Sequence, residues 1–167
     1  MRIGLSMLYC LGLPFSGLLK QLQTVNLKNV ELVDEGFHSL NKRRVYAIKR
    51  IVDERELRLT VHGPFIDINI SSTDAPTRRN MLKRLKRSIK LSGNLSSDLW
   101  VFHSGLMTGV SHFYPGLDWK LNLKSLHELK AEAEKDKVRL AIENTPDPFP
   151  FLLSNVEDFT RFFKDLG

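Results

Sequence analysis

The sequence has almost no cysteine: Cys10 is the only one among 167 residues. One thiol excludes a framework of internal disulfides and suits a reducing compartment, so the expected location is the cytoplasm. Long apolar runs are also missing; none approaches the roughly 18 to 20 residues that cross a bilayer. The opening MRIGLSMLYCLGLPF has one arginine ahead of an apolar stretch, as a signal peptide does. No small-residue cleavage site follows, however, and Arg2 to Ser6 alternates like a first strand. Glycine-rich phosphate loops of the Walker or dinucleotide type are absent, and Cys10 has no local histidine or cation that would mark it as a nucleophile.

Acidic residues are missing where the cations are densest. TRRNMLKRLKRSIK, Thr77 to Lys90, holds seven of the 25 Lys and Arg without one Asp or Glu. No aromatic residue is interleaved with them. The segment therefore reads as the solvated outer face of an amphipathic helix, with Met81, Leu82, Leu85 and Ile89 inward. A phosphate-binding patch is the alternative.

What is present is a repeat: a short apolar strand, a loop, an amphipathic helix, five times over. The expected strands are RIGLSML, NVELVDEG, LRLTVH, LWVFHSG and VRLAIENT. The expected helices cover about Ser16–Val25, Lys42–Glu54, Thr77–Leu91 and Leu121–Lys135, with NVEDFTRFFKDLG as the last, capped by Asn155. Repeated βα units imply a parallel sheet with helices outside, and 167 residues imply a single domain over 1–167.

Within the strands, Ile3 and Leu5, Val30 and Leu32, Leu59 and Val61, Trp100 and Phe102, and Leu140 and Ile142 form an apolar set expected to pack beneath the helices. The alternate residues are polar at many places: Ser6, Glu31, Glu35, Arg58, Thr60, His62, His103, Arg139 and Glu143. Side chains alternate faces along a strand. A doubly wound sheet buries both faces, so one polar face points to a (β/α) TIM-barrel arrangement, with that face lining the lumen. Such a barrel has eight βα units, and five are here. An incomplete barrel leaves its first and last strands as open edges, so the expectation is that the sequence is a fragment of a longer chain, that a companion chain supplies three units, or that the sheet closes by self-association. Glu31, Arg58 and Arg139 are expected to form an ionic layer at the lumen floor.

His62, His103 and Glu143 end three consecutive strands on that polar face, at the mouth. Two imidazoles and a carboxylate suit a divalent first-row ion, Zn²⁺ or Mn²⁺. A lone strand histidine ordinarily just hydrogen-bonds a neighbour; three matched tips outweigh that reading. Glu35, at the end of the second strand, also faces the mouth and is the candidate acid–base catalyst. His38 and His112, in mouth loops, are expected to be exposed, and His127 to be structural.

VHGPFIDIN, VFHSG and AIENTP resemble the strand signatures of the xylose isomerase-like TIM barrels, which include sugar isomerases, sugar epimerases and endonuclease IV. The resemblance spans all five units. It implies that His62, His103 and Glu143 bind metal in the endonuclease branch. In the isomerase and epimerase branch it implies that Glu143 holds a single ion while the histidines face substrate. It also places Phe65, Asn69 and Asn144 at positions that meet substrate or support the loops. Ser104 stands where the family has proline, and PDPFPFLL replaces the glycine-rich segment of the endonucleases. The expected function is that of a metal-dependent sugar or sugar-phosphate isomerase or epimerase. The alternatives are an endonuclease acting on abasic DNA, and an inactive barrel that needs a partner chain.

Overall fold

In a computed structural model, residues 3–145 and 148–167 are described. Five strands form one parallel sheet in chain order: β1 (Gly4–Ser6), β2 (Asn29–Val33), β3 (Arg58–His62), β4 (Leu99–His103) and β5 (Leu140–Glu143). Five α-helices follow them in turn: α1 (Phe15–Thr24), α2 (Lys42–Arg55), α3 (Ala75–Asn94), α4 (Leu117–Lys135) and α5 (Val156–Leu166).

The helices start where short polar side chains take up free amide groups. Asn41 accepts from Arg44 N at 3.0 Å, Asp74 from Thr77 N at 2.8 Å, and Asn155, as expected, from Asp158 N at 2.9 Å. α3 and α4 each begin earlier than expected. α3 gains its first turn from the Asp74 cap and Pro76, a residue suited to a helix start. β1 is shorter than expected. The Ser6 hydroxyl accepts from Leu8 N and turns Met7–Cys10 into a 3₁₀ segment. Arg2, assigned to that strand from the sequence, lies outside the described residues.

The apolar strand set forms the core with the inner helix faces. Val30, Leu32, Leu59, Val61, Trp100 and Phe102 are all buried, and Leu5, Leu140 and Ile142 are partly buried against them; Ile3, expected in the same set, lies ahead of β1 and is 60% exposed. The Trp100 and Phe102 rings stack at 5.2 Å, and Trp100 Nε1 donates to Ser88 Oγ of α3 at 3.0 Å. The Trp100 ring also explains Gly63: a Cβ there would lie 2.3 Å from its Cζ2.

The opposite face is open, as five strands of a barrel must leave it. The expected ionic layer is absent from it. Glu31 accepts instead from Ser6 Oγ at 2.6 Å, and Arg139 Nε donates to the Asp98 carbonyl. Among the described residues neither Arg58 nor Arg139 enters an ion pair. Both are exposed, so water solvates them and no partner is required. Among the described residues, no helix is long and apolar enough to cross a membrane.

Candidate metal centre

The strand register carries three side chains to one point. His103 and Glu143 are paired neighbours on β4 and β5, and His62 ends β3 beside β4. His62 Nε2 lies 3.0 Å and His103 Nε2 3.1 Å from the same atom, Glu143 Oε2. Among the described residues these three are the group whose donor atoms, all within 4.8 Å of one another, could hold a metal ion.

The orientation of His62 tests whether a cation fits. Its Nδ1 lies 2.8 Å from the Gly63 carbonyl, an atom that only accepts, so Nδ1 carries the proton. In the neutral tautomer that this bond selects, the Nε2 lone pair faces a carboxylate oxygen. A cation between them satisfies both, and an outer hydrogen bond from Nδ1 to a carbonyl is the usual brace of a metal-bound histidine. Ligand bonds of 2.0–2.1 Å in a tetrahedron separate donors by about 3.3 Å, near the two nitrogen–oxygen distances here, with all three donors within 4.8 Å of one another. Burial holds His103 below the ordinary imidazole range and so favours its neutral, ligating form; a protonated His62 would act in the same direction, and Glu143 pulls the other way.

Aromatic rings wall this cluster. Phe65 stands 5.4 Å from His62 and 5.9 Å from His103, and Phe151 stands 5.1 Å from His103. Phe151 is a site neighbour that the sequence motifs did not reveal. Its signal was the Phe-Pro-Phe alternation that replaces the glycine-rich segment. Ser104, the departure from proline, also has a use: its hydroxyl accepts from Leu153 N at 3.2 Å and pins the segment that carries Phe151.

Glu35 is placed differently from a free acid–base group. It is buried. Its Oε2 accepts from Phe65 N and Ile66 N, each at 3.0 Å, and its Oε1 accepts from Gly36 N at 3.1 Å and from Arg84 of α3 at 2.5 Å. The carboxylate thus ties the loop after β3 to α3. Asn69 also braces loops. Its Oδ1 accepts from Ser71 N, Ser71 Oγ and Leu106 N, knotting the loops after β3 and β4. Asn144 is exposed and lines a shallow hollow beside α5 with Ile142 and Phe159. Cys10 is buried, and its thiol is pushed up by that burial.

His38 corrects an expectation, since it is fully buried. Nε2 donates to the Leu13 carbonyl at 3.0 Å, bracing the loop after β2 against the loop after β1. Nδ1 has no partner among the described residues, and burial lowers the basicity of the ring. Below the ordinary imidazole value of about 6.5, the unfolded chain therefore takes up a proton that the folded chain resists. The stability this group contributes is present above that value and is lost as the pH falls. Urea midpoints should drop between pH 7.5 and 5.5, and His38→Gln should flatten the drop; an equal slope in the variant would exclude His38 as the source.

A parallel sheet in chain order, with helices outside it and a His–His–Glu cluster at adjacent strand tips, defines five βα units of a barrel. Residues 19–167 match the xylose isomerase-like TIM barrel family, and the chain belongs to that family. It is 25% identical over 166 residues to an uncharacterized protein of Methanocaldococcus jannaschii, covering 99% of this chain and 57% of that one. A D-tagatose 3-epimerase-like protein superposes with a TM-score of 0.90 at 24% identity, over 99% of this chain and 61% of that one. A D-psicose 3-epimerase determined in the presence of D-fructose gives 0.80 at 17% identity, over 100% and 60%. The 3-keto-D-glucoside 4-epimerase of E. coli gives 0.78 at 16% identity, over 99% and 64%. The chain thus spans about three fifths of the length of these relatives.

Proposed function

We propose that this chain carries the metal-binding part of a sugar or sugar-phosphate isomerase or epimerase, in a barrel completed by further polypeptide. The observation that carries the reading is the convergence of His62, His103 and Glu143 on one point, with His62 Nε2 already presented. These three residues would hold a divalent ion. A bound ion supplies electrostatic polarisation of a carbonyl or hydroxyl oxygen, easing removal of the proton on the adjoining carbon. Phe65 and Phe151 form apolar walls that exclude water from one side and accept the C–H face of a sugar. In this reading Glu35 positions Phe65, and the carboxylates that move the proton come from strands beyond β5.

An apolar groove supports the completion of the barrel. Leu126 of α4, Leu140 and Ile142 of β5, and Phe159, Phe163 and Leu166 of α5 line a space of 590 Å³ beside the unpaired edge of β5. A second copy or a companion chain laying a strand along that edge would bury it.

The test is proton exchange. Assembled with the polypeptide that completes its barrel and loaded with Mn²⁺ or Zn²⁺ in deuterated water, the protein should wash deuterium into the carbon next to the carbonyl of a ketose such as D-fructose, as read by NMR. Glu143→Gln should abolish the exchange. Metal uptake without exchange on any ketose would sink the enzymatic reading, and cleavage of abasic duplex DNA would turn it to the endonuclease branch.

A further inference from the structure

Charge is partitioned within this fold. α2 and α3 together hold thirteen of the 25 Lys and Arg but only two of the 19 acidic residues, Asp53 and Glu54, and so carry +11. The formal net charge of the whole chain is +6, which leaves −5 on everything else. The two helices pack side by side on the outside of the sheet.

Part of this charge is neutralised locally. On α3, Arg84 pairs with Glu35 and Lys86 with Glu128. Lys42 and Arg43 at the start of α2, and Arg87 and Lys90 of α3, enter no ion pair among the described residues. These four exposed cations, with Asn41 and Asn94, line a groove of 490 Å³ that no carboxylate enters. Along α3, Lys83, Arg87 and Lys90 follow one another at four and three residues, which is about 6 and 4.5 Å of helix. Tyr46, one turn beyond Arg43 on α2, is 70% exposed. The aromatic partner that α3 lacks in sequence is thus provided by the neighbouring helix.

We propose that the α2–α3 groove binds single-stranded nucleic acid through its phosphate backbone, with a base stacked on Tyr46. Cations tracking a strand beside an aromatic platform are the recurring elements of such sites. The concave shape favours a chain of phosphates over a lipid surface, since a flat bilayer does not enter a groove. The negative charge on the rest of the protein repels a polyanion and so directs it to this face. The groove and the metal centre share no residue.

Binding of a fluorescent oligothymidylate to the full chain tests this. With four cations engaged, the affinity should fall with a log–log salt slope near −3, roughly fifty-fold between about 50 and 200 mM salt. Arg87→Glu with Lys90→Glu should weaken binding at least about tenfold and reduce the slope by more than about 1. Tyr46→Ala should weaken it roughly fivefold or more without altering the slope. The charge-matched control is Lys120→Glu with Lys124→Glu, exposed cations of α4, which should bind like the parent. An equal loss in that control would show mere net-charge attraction and overturn the site, as would binding indifferent to either Arg87/Lys90 reversal or Tyr46→Ala. Tighter binding to phosphatidylserine vesicles than to the oligonucleotide would reassign the groove to a membrane. Zn²⁺ or Mn²⁺ titration of each variant keeps this outcome separate from that of the metal centre.

Discussion

Zn²⁺ or Mn²⁺ should raise the melting temperature of this protein, and Glu143→Gln should remove most of the rise. Glu143 Oε2 is the one atom within 3.1 Å of both imidazole nitrogens, so every bridging contact in the cluster passes through it. At an ion concentration one hundred times the dissociation constant, binding to the folded chain alone adds about 2.7 kcal/mol. For a chain of this size that is roughly 5–10 °C in melting temperature. Outer-sphere partners already weaken metal affinity about 10–100-fold when removed, so loss of a direct ligand should exceed that range. Calorimetric titration measures the affinity and a thermal melt measures the linkage. A Glu143→Gln protein that keeps parental metal affinity would refute the site.

Glu35→Gln should unfold more easily, whatever it does to turnover. The parent carboxylate is buried and accepts from Phe65 N, Ile66 N, Gly36 N and Arg84. The neutral amide keeps one good acceptor, turns donors toward backbone amides and leaves Arg84 without its counter-charge. Charged hydrogen bonds contribute about 1.5–3 kcal/mol each, and removing one member of a buried pair costs about 3–5 kcal/mol. Arg84 is 41% exposed, and water recovers part of that, so the expected loss is roughly 2–4 kcal/mol in a urea melt. Arg84→Met should be milder, and the double variant should show a coupling above about 1 kcal/mol. If Glu35 were instead a free acid–base group, the amide would fold with parental stability and lose only catalysis.

The period-two alternation of the strands revealed the sheet, its apolar side and the three residues that meet at its tip, because each of those placements follows from local geometry. The roles of Glu35 and His38 were hidden for the opposite reason. Glu35 finds Phe65 and Arg84 at 30 and 49 residues along the chain, and His38 finds Leu13 at 25. Nothing in the residues beside them signals those partners. The ionic layer failed for a physical reason: pairing was expected of charges inside a closed lumen, and five strands leave Arg58 and Arg139 in water. Phe151 was missed because an extended loop brings it to His103 with no regular spacing to announce it. The cationic groove was half visible; the run in α3 stands out in the sequence, while its continuation in α2 requires the two helices to be neighbours.

The lacing of the mouth loops bears on how the centre would work. Asn69 joins the loop after β3 to Leu106 of the loop after β4, and Leu106 pairs with Phe151 of the loop after β5. Ser104 adds a second tie across that last junction. Three loops thus form one stiff rim around the donor cluster. A ligand arriving there meets walls whose ordering entropy was spent when the chain folded, so little of its binding energy is consumed in shaping them. The loops after β1 and β2 are tied in as well, by His38 to Leu13 and by Glu35 to Phe65 and Ile66, so a closing motion over a ligand on this side of the mouth would have to break one of these bonds.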